Sequence, residues 1–78
     1  MSTAAVGSSA RSHVLALELY TALTEAEKLA LMLEDAAYEE AEPGLVYAAR
    51  GVRERLAEGR SLLAAVLRAK KILGGGDA

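Results

Sequence analysis

The chain of 78 residues has no cysteine, phenylalanine or tryptophan, and it contains only one proline, one histidine and three tyrosines. Without cysteine it can form neither disulfides nor thiolate metal sites. The lone His13 has no partners of the kind that a catalytic or metal-binding histidine needs, and the Glu-x-x-His spacing of di-iron bundles is absent. The sequence therefore predicts a protein that is not an enzyme and that binds no cofactor or metal.

Long apolar runs are also missing. The longest, residues 29–33 and 62–67, fall far short of the ~20 residues that a membrane-spanning helix needs. No apolar segment with a small-residue cleavage site marks a secretory signal around Arg11, the first charged residue. We therefore expect a protein with no membrane partner, located in the cytoplasm.

The strongest interruption of the helical pattern lies at Glu42, Pro43 and Gly44. Pro43 lacks a backbone N–H and disfavours helical geometry at Glu42, whereas Gly44 tolerates the positive φ of an abrupt reversal. On both sides of this point apolar residues recur at three- and four-residue steps, which indicates amphipathic helices. The pattern predicts an all-α fold, an antiparallel helical hairpin that reverses at Pro43 and Gly44. The two apolar stripes are Leu15, Leu19, Tyr20, Leu23, Ala26, Leu29, Ala30, Leu33, Ala36 and Ala37, then Leu45, Ala48, Ala49, Val52, Leu56, Gly59, Leu63, Val66 and Leu73.

The sequence divides into a flexible leader (1–8), a single helical domain (9–73) and a flexible glycine-rich tail (74–78). Thr24 and Glu27 have the spacing of a capping box, so we expect the first arm to kink or break near Thr24. Gly59 either ends a helix in the second arm or lies within a continuous one. The domain is therefore predicted to have two or three helices.

Charge is divided between the two arms. Residues 1–44 carry two basic and eight acidic side chains, a net charge of −6, whereas residues 45–78 carry seven basic and three acidic ones, a net charge of +4. Opposite charges suit two arms that lie antiparallel. Because an exposed ion pair contributes only ~0–1 kcal/mol, we expect the asymmetry to select the pairing more than to stabilise it.

The two arms carry more apolar surface than a hairpin can cover, since further apolar side chains widen both stripes. This surplus predicts a homodimer that resembles a four-helix bundle, and a small protein–protein interaction module such as an adaptor, regulator or inhibitor with a protein partner of unknown identity. The candidate partner-binding residues are Leu31, Met32, Tyr38 and Val46.

The alternative function is a nucleic-acid-binding helical bundle that uses basic residues of the second arm. Phosphate contacts require several of them to share one face. The net charge of −2 and the sequence pI near 5.3 argue against nucleic acid. The residues concerned are Arg50, Arg53, Arg60, Arg68 and Lys71.

Overall fold

The computed structural model describes the backbone of residues 2–73 and the side chains of residues 11–73. It contains two helices, α1 (Ser2–Glu39) and α2 (Pro43–Ala69), joined by a turn at residues 40–42. No strand occurs within 2–73. The predicted all-α hairpin is therefore confirmed. The expected tail, 74–78, lies outside the described residues.

Helix α1 passes through Thr24 without a break. The Thr24 hydroxyl donates to the carbonyl oxygen of Tyr20, four residues earlier, at 3.0 Å, instead of capping a new helix. The described chain thus has two helices rather than three, and no helix begins at Thr24. The range of α1 also takes in residues 2–8, where we expected a leader. Mobility of that segment stays a prediction.

The reversal depends on Ala41 and not on Gly44. Ala41 has a φ of 59°, and no described glycine has a positive φ. The N–H of Ala41 donates to the carbonyl oxygen of Tyr38 at 3.2 Å, and the N–H of Glu42 donates to that of Ala37 at 2.8 Å. This pair of bonds is the Schellman motif that often ends helices. Pro43 then begins α2, where its fixed φ and missing N–H are tolerated.

Helix α2 is continuous through Gly59 and ends at Ala69, four residues before the expected Leu73. A second Schellman motif ends it: Lys71 has a φ of 62°, and the N–H of Ile72 donates to the carbonyl oxygen of Leu67 at 2.8 Å. The helix therefore ends through the left-handed conformation of Lys71.

The hairpin is one layer thick, with extents of 57 × 29 × 13 Å. Globular domains ordinarily pack at least two layers of secondary structure around a core. Here the buried side chains among those described are four alanines and Leu67. The small side chains of Ala30, Ala37 and Ala49 are buried where the helices meet, whereas Ala48 and Gly51 are exposed. The core of this hairpin is thin, and most of its apolar side chains remain outside it.

Candidate interaction surface

The two antiparallel helices leave two broad surfaces, one on each side of the plane that contains their axes. We name them by their residues. The apolar face comprises Leu15, Leu19, Ala26, Leu29, Leu33, Leu45, Ala48, Val52, Leu56, Leu63 and Val66. The salt-bridged face comprises Glu27, Glu34, Arg50, Arg53 and Arg60. Helical spacing of three, four and seven residues keeps each set on one side of its helix.

A groove of about 470 Å³ runs between α1 and α2 on the apolar face. Ala30 and Ala49 are buried at its floor, where their methyl groups let the two helices approach. Its walls are taller side chains that remain largely open to solvent, with Leu29 at 65%, Val52 at 52% and Leu33 at 43% exposure. All eight residues that line it are Ala, Leu or Val: Ala26, Leu29, Ala30, Leu33, Ala48, Ala49, Val52 and Leu56. Such a surface is suited to packing against another apolar surface.

The salt-bridged face is centred on Glu34, which receives two arginines from α2. Nε of Arg50 donates to Oε2 of Glu34 at 2.9 Å, and Nε of Arg53 donates to Oε1 at 3.0 Å. The hydrogen bond from Arg50 is the largest cause that holds the pKa of Glu34 below the ordinary glutamate value. Desolvation opposes it, and the hydrogen bond from Arg53 and the charges of both arginines lower the pKa further. Glu34 is therefore a carboxylate at neutral pH and links the two helices.

A second cluster lies farther from the turn. Nε of Arg60 donates to Oε1 of Glu27, and Nη2 of Arg60 donates to Oε2 at 3.4 Å. Hydrogen bonding to Glu27, then to Tyr20, raises the pKa of the Arg60 guanidinium. The acidic first arm and the basic second arm thus meet through these ion pairs, as their charges predict.

The four predicted partner-binding residues do not share one surface. Tyr38 and Val46 line a hollow beside the turn, together with Pro43. Leu31 lines a separate hollow beside Arg60, and Met32 is 64% exposed on the outer side of α1. None of the four lines the apolar groove.

The groove residues all belong to the two apolar stripes that the sequence predicts. The stripe alone does not show how much of its width the second helix covers. In this hairpin the second helix covers the side of each stripe nearest the ion pairs and leaves the side with Leu29, Leu33 and Val52 uncovered.

The basic residues of the nucleic-acid alternative are largely engaged within the hairpin. Arg50 and Arg53 both bond to Glu34, and Arg60 bonds to Glu27. Arg68 lies in the last turn of α2 and Lys71 follows that helix. The structure therefore does not gather the five into one uncompensated basic patch.

No protein-family model, curated protein or solved structure matches this sequence. Among the described residues, no cluster of three or more His, Asp or Glu side chains could hold a metal ion. Neither described helix has a stretch long and apolar enough to cross a membrane. The apolar face is thus the feature on which a functional proposal rests.

Proposed function

We propose that this protein is a non-enzymatic protein–protein interaction module that works through its apolar face, and that it forms a homodimer with the general form of a four-helix bundle. The observation that carries the proposal is the apolar groove left open between α1 and α2. A second hairpin laid on this groove supplies the missing layer, because two layers of helices can enclose a common core.

The amount of exposed surface supports a dimer. A compact folded monomer of 8.1 kDa exposes about 4,500 Å². This hairpin exposes 5882 Å². The difference is about 1,400 Å² per chain, which exceeds the roughly 800 Å² that each partner of a standard protein–protein interface buries. Pairing of two apolar faces would therefore return the exposed area per chain toward that of an ordinary globular protein.

The dimer leaves the salt-bridged face and the turn on its outside. The hollow beside the turn, with Tyr38 and Val46, is available there to a further protein partner, as are Leu31 and Met32. Tyr and Met are common at adaptable interfaces. In this proposal the dimer is the stable unit, in the cytoplasm, and the outer residues give it the role of a small adaptor, regulator or inhibitor.

Sedimentation equilibrium at several protein concentrations tests the homodimer, and two adjacent residues of α1 provide matched variants. Leu33→Glu places a charge in the apolar groove, so we expect a monomer that remains helical by circular dichroism. Met32→Glu places the same charge on the outer side, where we expect the dimer to persist. Leu29→Glu repeats the test from the other end of the groove wall. A wild-type chain that is monomeric at every concentration would contradict the proposal.

A further inference from the structure

We infer that the two copies pair with their turns at the same end, so that α1 of each copy lies on α2 of the other. This inference rests on the proposed homodimer and adds its geometry. It follows from the charged residues that border the apolar face, which are arranged differently on the two helices.

Two arrangements bring two apolar faces together about a two-fold axis. If the axis is parallel to the helices, the turns lie at the same end and each α1 covers the α2 of its partner. If the axis crosses the helices, the turns lie at opposite ends, and α1 covers α1 while α2 covers α2. Both give antiparallel neighbours and both are isologous, so apolar packing does not by itself choose between them.

The border of the apolar face is acidic on α1. Glu18 lies three residues after Leu15, and Glu25 lies four residues before Leu29, so each stands beside a residue of that face. Both glutamates are exposed. The ion pairs of the salt-bridged face use neither of them.

The border is basic on α2. Arg55 lies three residues after Val52, and Lys70 lies four residues after Val66. Both are exposed, and the ion pairs of the salt-bridged face use neither. Stacking α1 on α2 therefore places an acidic border over a basic one, whereas stacking like helices places like charges together.

The positions of these charged residues along the helix axes also favour the same-end arrangement. The ion pair between Glu27 and Arg60 sets the two helices in register, which places Glu18 level with Ala69. When the turns lie at the same end, equivalent residues of the two copies have the same height along the helix axes. Glu18 therefore lies close to the partner's Lys70. Arg11, the basic residue at the start of this border of α1, lies beyond the level at which α2 ends. Such charges fix orientation more than they add affinity.

Distances between spin labels test the arrangement, and a chain without cysteine takes a label at a single introduced site. We choose Glu42→Cys at the turn, because the Glu42 side chain makes no cap hydrogen bond. Turns at the same end give a label separation of about 20 Å, from helix spacings of 8–10 Å plus the label arms. Turns at opposite ends give about 35–40 Å, because 12 residues of helix separate each turn from the groove centre.

Ala36→Cys is the control label, because Ala36 is exposed and lies three residues after Leu33, at the border of the apolar face. It lies beside the contact between the two copies in either arrangement, so it reports a short distance for both. A short Ala36→Cys distance with a long Glu42→Cys distance overturns the same-end arrangement and leaves the homodimer intact. The absence of a dimer distance at both sites overturns both proposals.

Charge reversal gives an independent test. We expect Glu18→Lys and Lys70→Glu each to weaken the dimer by about threefold to tenfold at low salt, and the two combined in one chain to restore it. Asp35→Lys, on an exposed site away from the apolar face, leaves the dissociation constant unchanged. If Glu18→Lys strengthens the dimer, or if the combined variant is no tighter than the single ones, the same-end arrangement is overturned.

Discussion

The backbone N–H of Glu42 donates to the carbonyl oxygen of Ala37 at 2.8 Å, and this bond closes the C-terminal end of α1. It brings the chain around through Ala41, which adopts the left-handed region with a φ of 59°. In that region the Cβ of a non-glycine residue lies too close to the following carbonyl oxygen, at a cost of roughly 1–2 kcal/mol. The hairpin therefore reverses through a residue whose side chain opposes the required backbone.

Ala41→Gly should stabilise the hairpin. It removes the Cβ, and the gain exceeds the extra backbone entropy that glycine brings to the unfolded chain, which leaves a net gain of about 0.5–1 kcal/mol. Urea unfolding at a fixed protein concentration measures the difference. Ala36→Gly, at an exposed position inside α1, is the control and should destabilise by about 1 kcal/mol. A loss of stability in Ala41→Gly would contradict the assigned role of Ala41.

The sequence is sufficient to predict the two helices, because a lone proline and sustained helical spacing leave few alternatives. It is not sufficient to identify the residue whose positive φ makes the reversal. Local preference assigns positive φ to Gly44, yet Pro43 begins α2 and places Gly44 within that helix. The same holds for Thr24, whose capping spacing lies inside a continuous helix, with its hydroxyl bonded to the carbonyl oxygen of Tyr20. In both cases the helix to which the residue belongs overrides its own local preference.

Gly51→Ala should also stabilise the protein. Gly51 lies in the interior of α2, where glycine costs about 1 kcal/mol relative to alanine. A methyl group added there would meet no atom within 4 Å, so no steric cost opposes the gain. We expect an increase of about 1 kcal/mol in the free energy of unfolding, measured by urea titration. An unchanged or lower value would mean that another chain packs closely on Gly51.

Leu67→Ala should be strongly destabilising. Leu67 is 2% exposed and is the one large side chain, among those described, that the hairpin buries completely. Its truncation should cost about 2–3 kcal/mol, at the lower end of the range for leucine because a thin core leaves room to relax. Leu62→Ala in the same helix, with Leu62 at 72% exposure, should change stability by less than about 0.5 kcal/mol. Equal costs for the two variants in urea unfolding would contradict the assigned core.

The sequence predicts a surplus of apolar surface but does not predict where on the hairpin that surface lies. The surplus of apolar surface follows from two stripes too wide for one contact, and the structure shows such a surplus around Leu29 and Val52. Leu31 and Met32 are predicted partner-binding residues because they widen the apolar surface beyond what a two-helix hairpin can cover. Which part of that surface stays uncovered depends on the angle at which the second helix meets the first. Here the bonds of Arg50 and Arg53 to Glu34 accompany a contact on one side of the stripe, and this long-range pairing is not encoded in either helix alone.

Glu34 should make the stability of the hairpin depend on acidic pH. Its pKa is lowered from the ordinary 4.5 by the hydrogen bonds of Arg50 and Arg53. A carboxyl with a lower pKa in the folded chain than in the unfolded one stabilises the fold above the unfolded value, and this contribution is lost as the pH falls through the folded value. We therefore expect the urea midpoint to drop below about pH 4.5.

Glu34→Gln should have a lower urea midpoint at neutral pH and a weaker dependence of that midpoint on acid. Asp35→Asn, outside the ion pairs of the salt-bridged face, should keep the wild-type acid dependence. If Glu34→Gln lost stability with acid as steeply as the wild type, the acid dependence would have to come from other carboxyls.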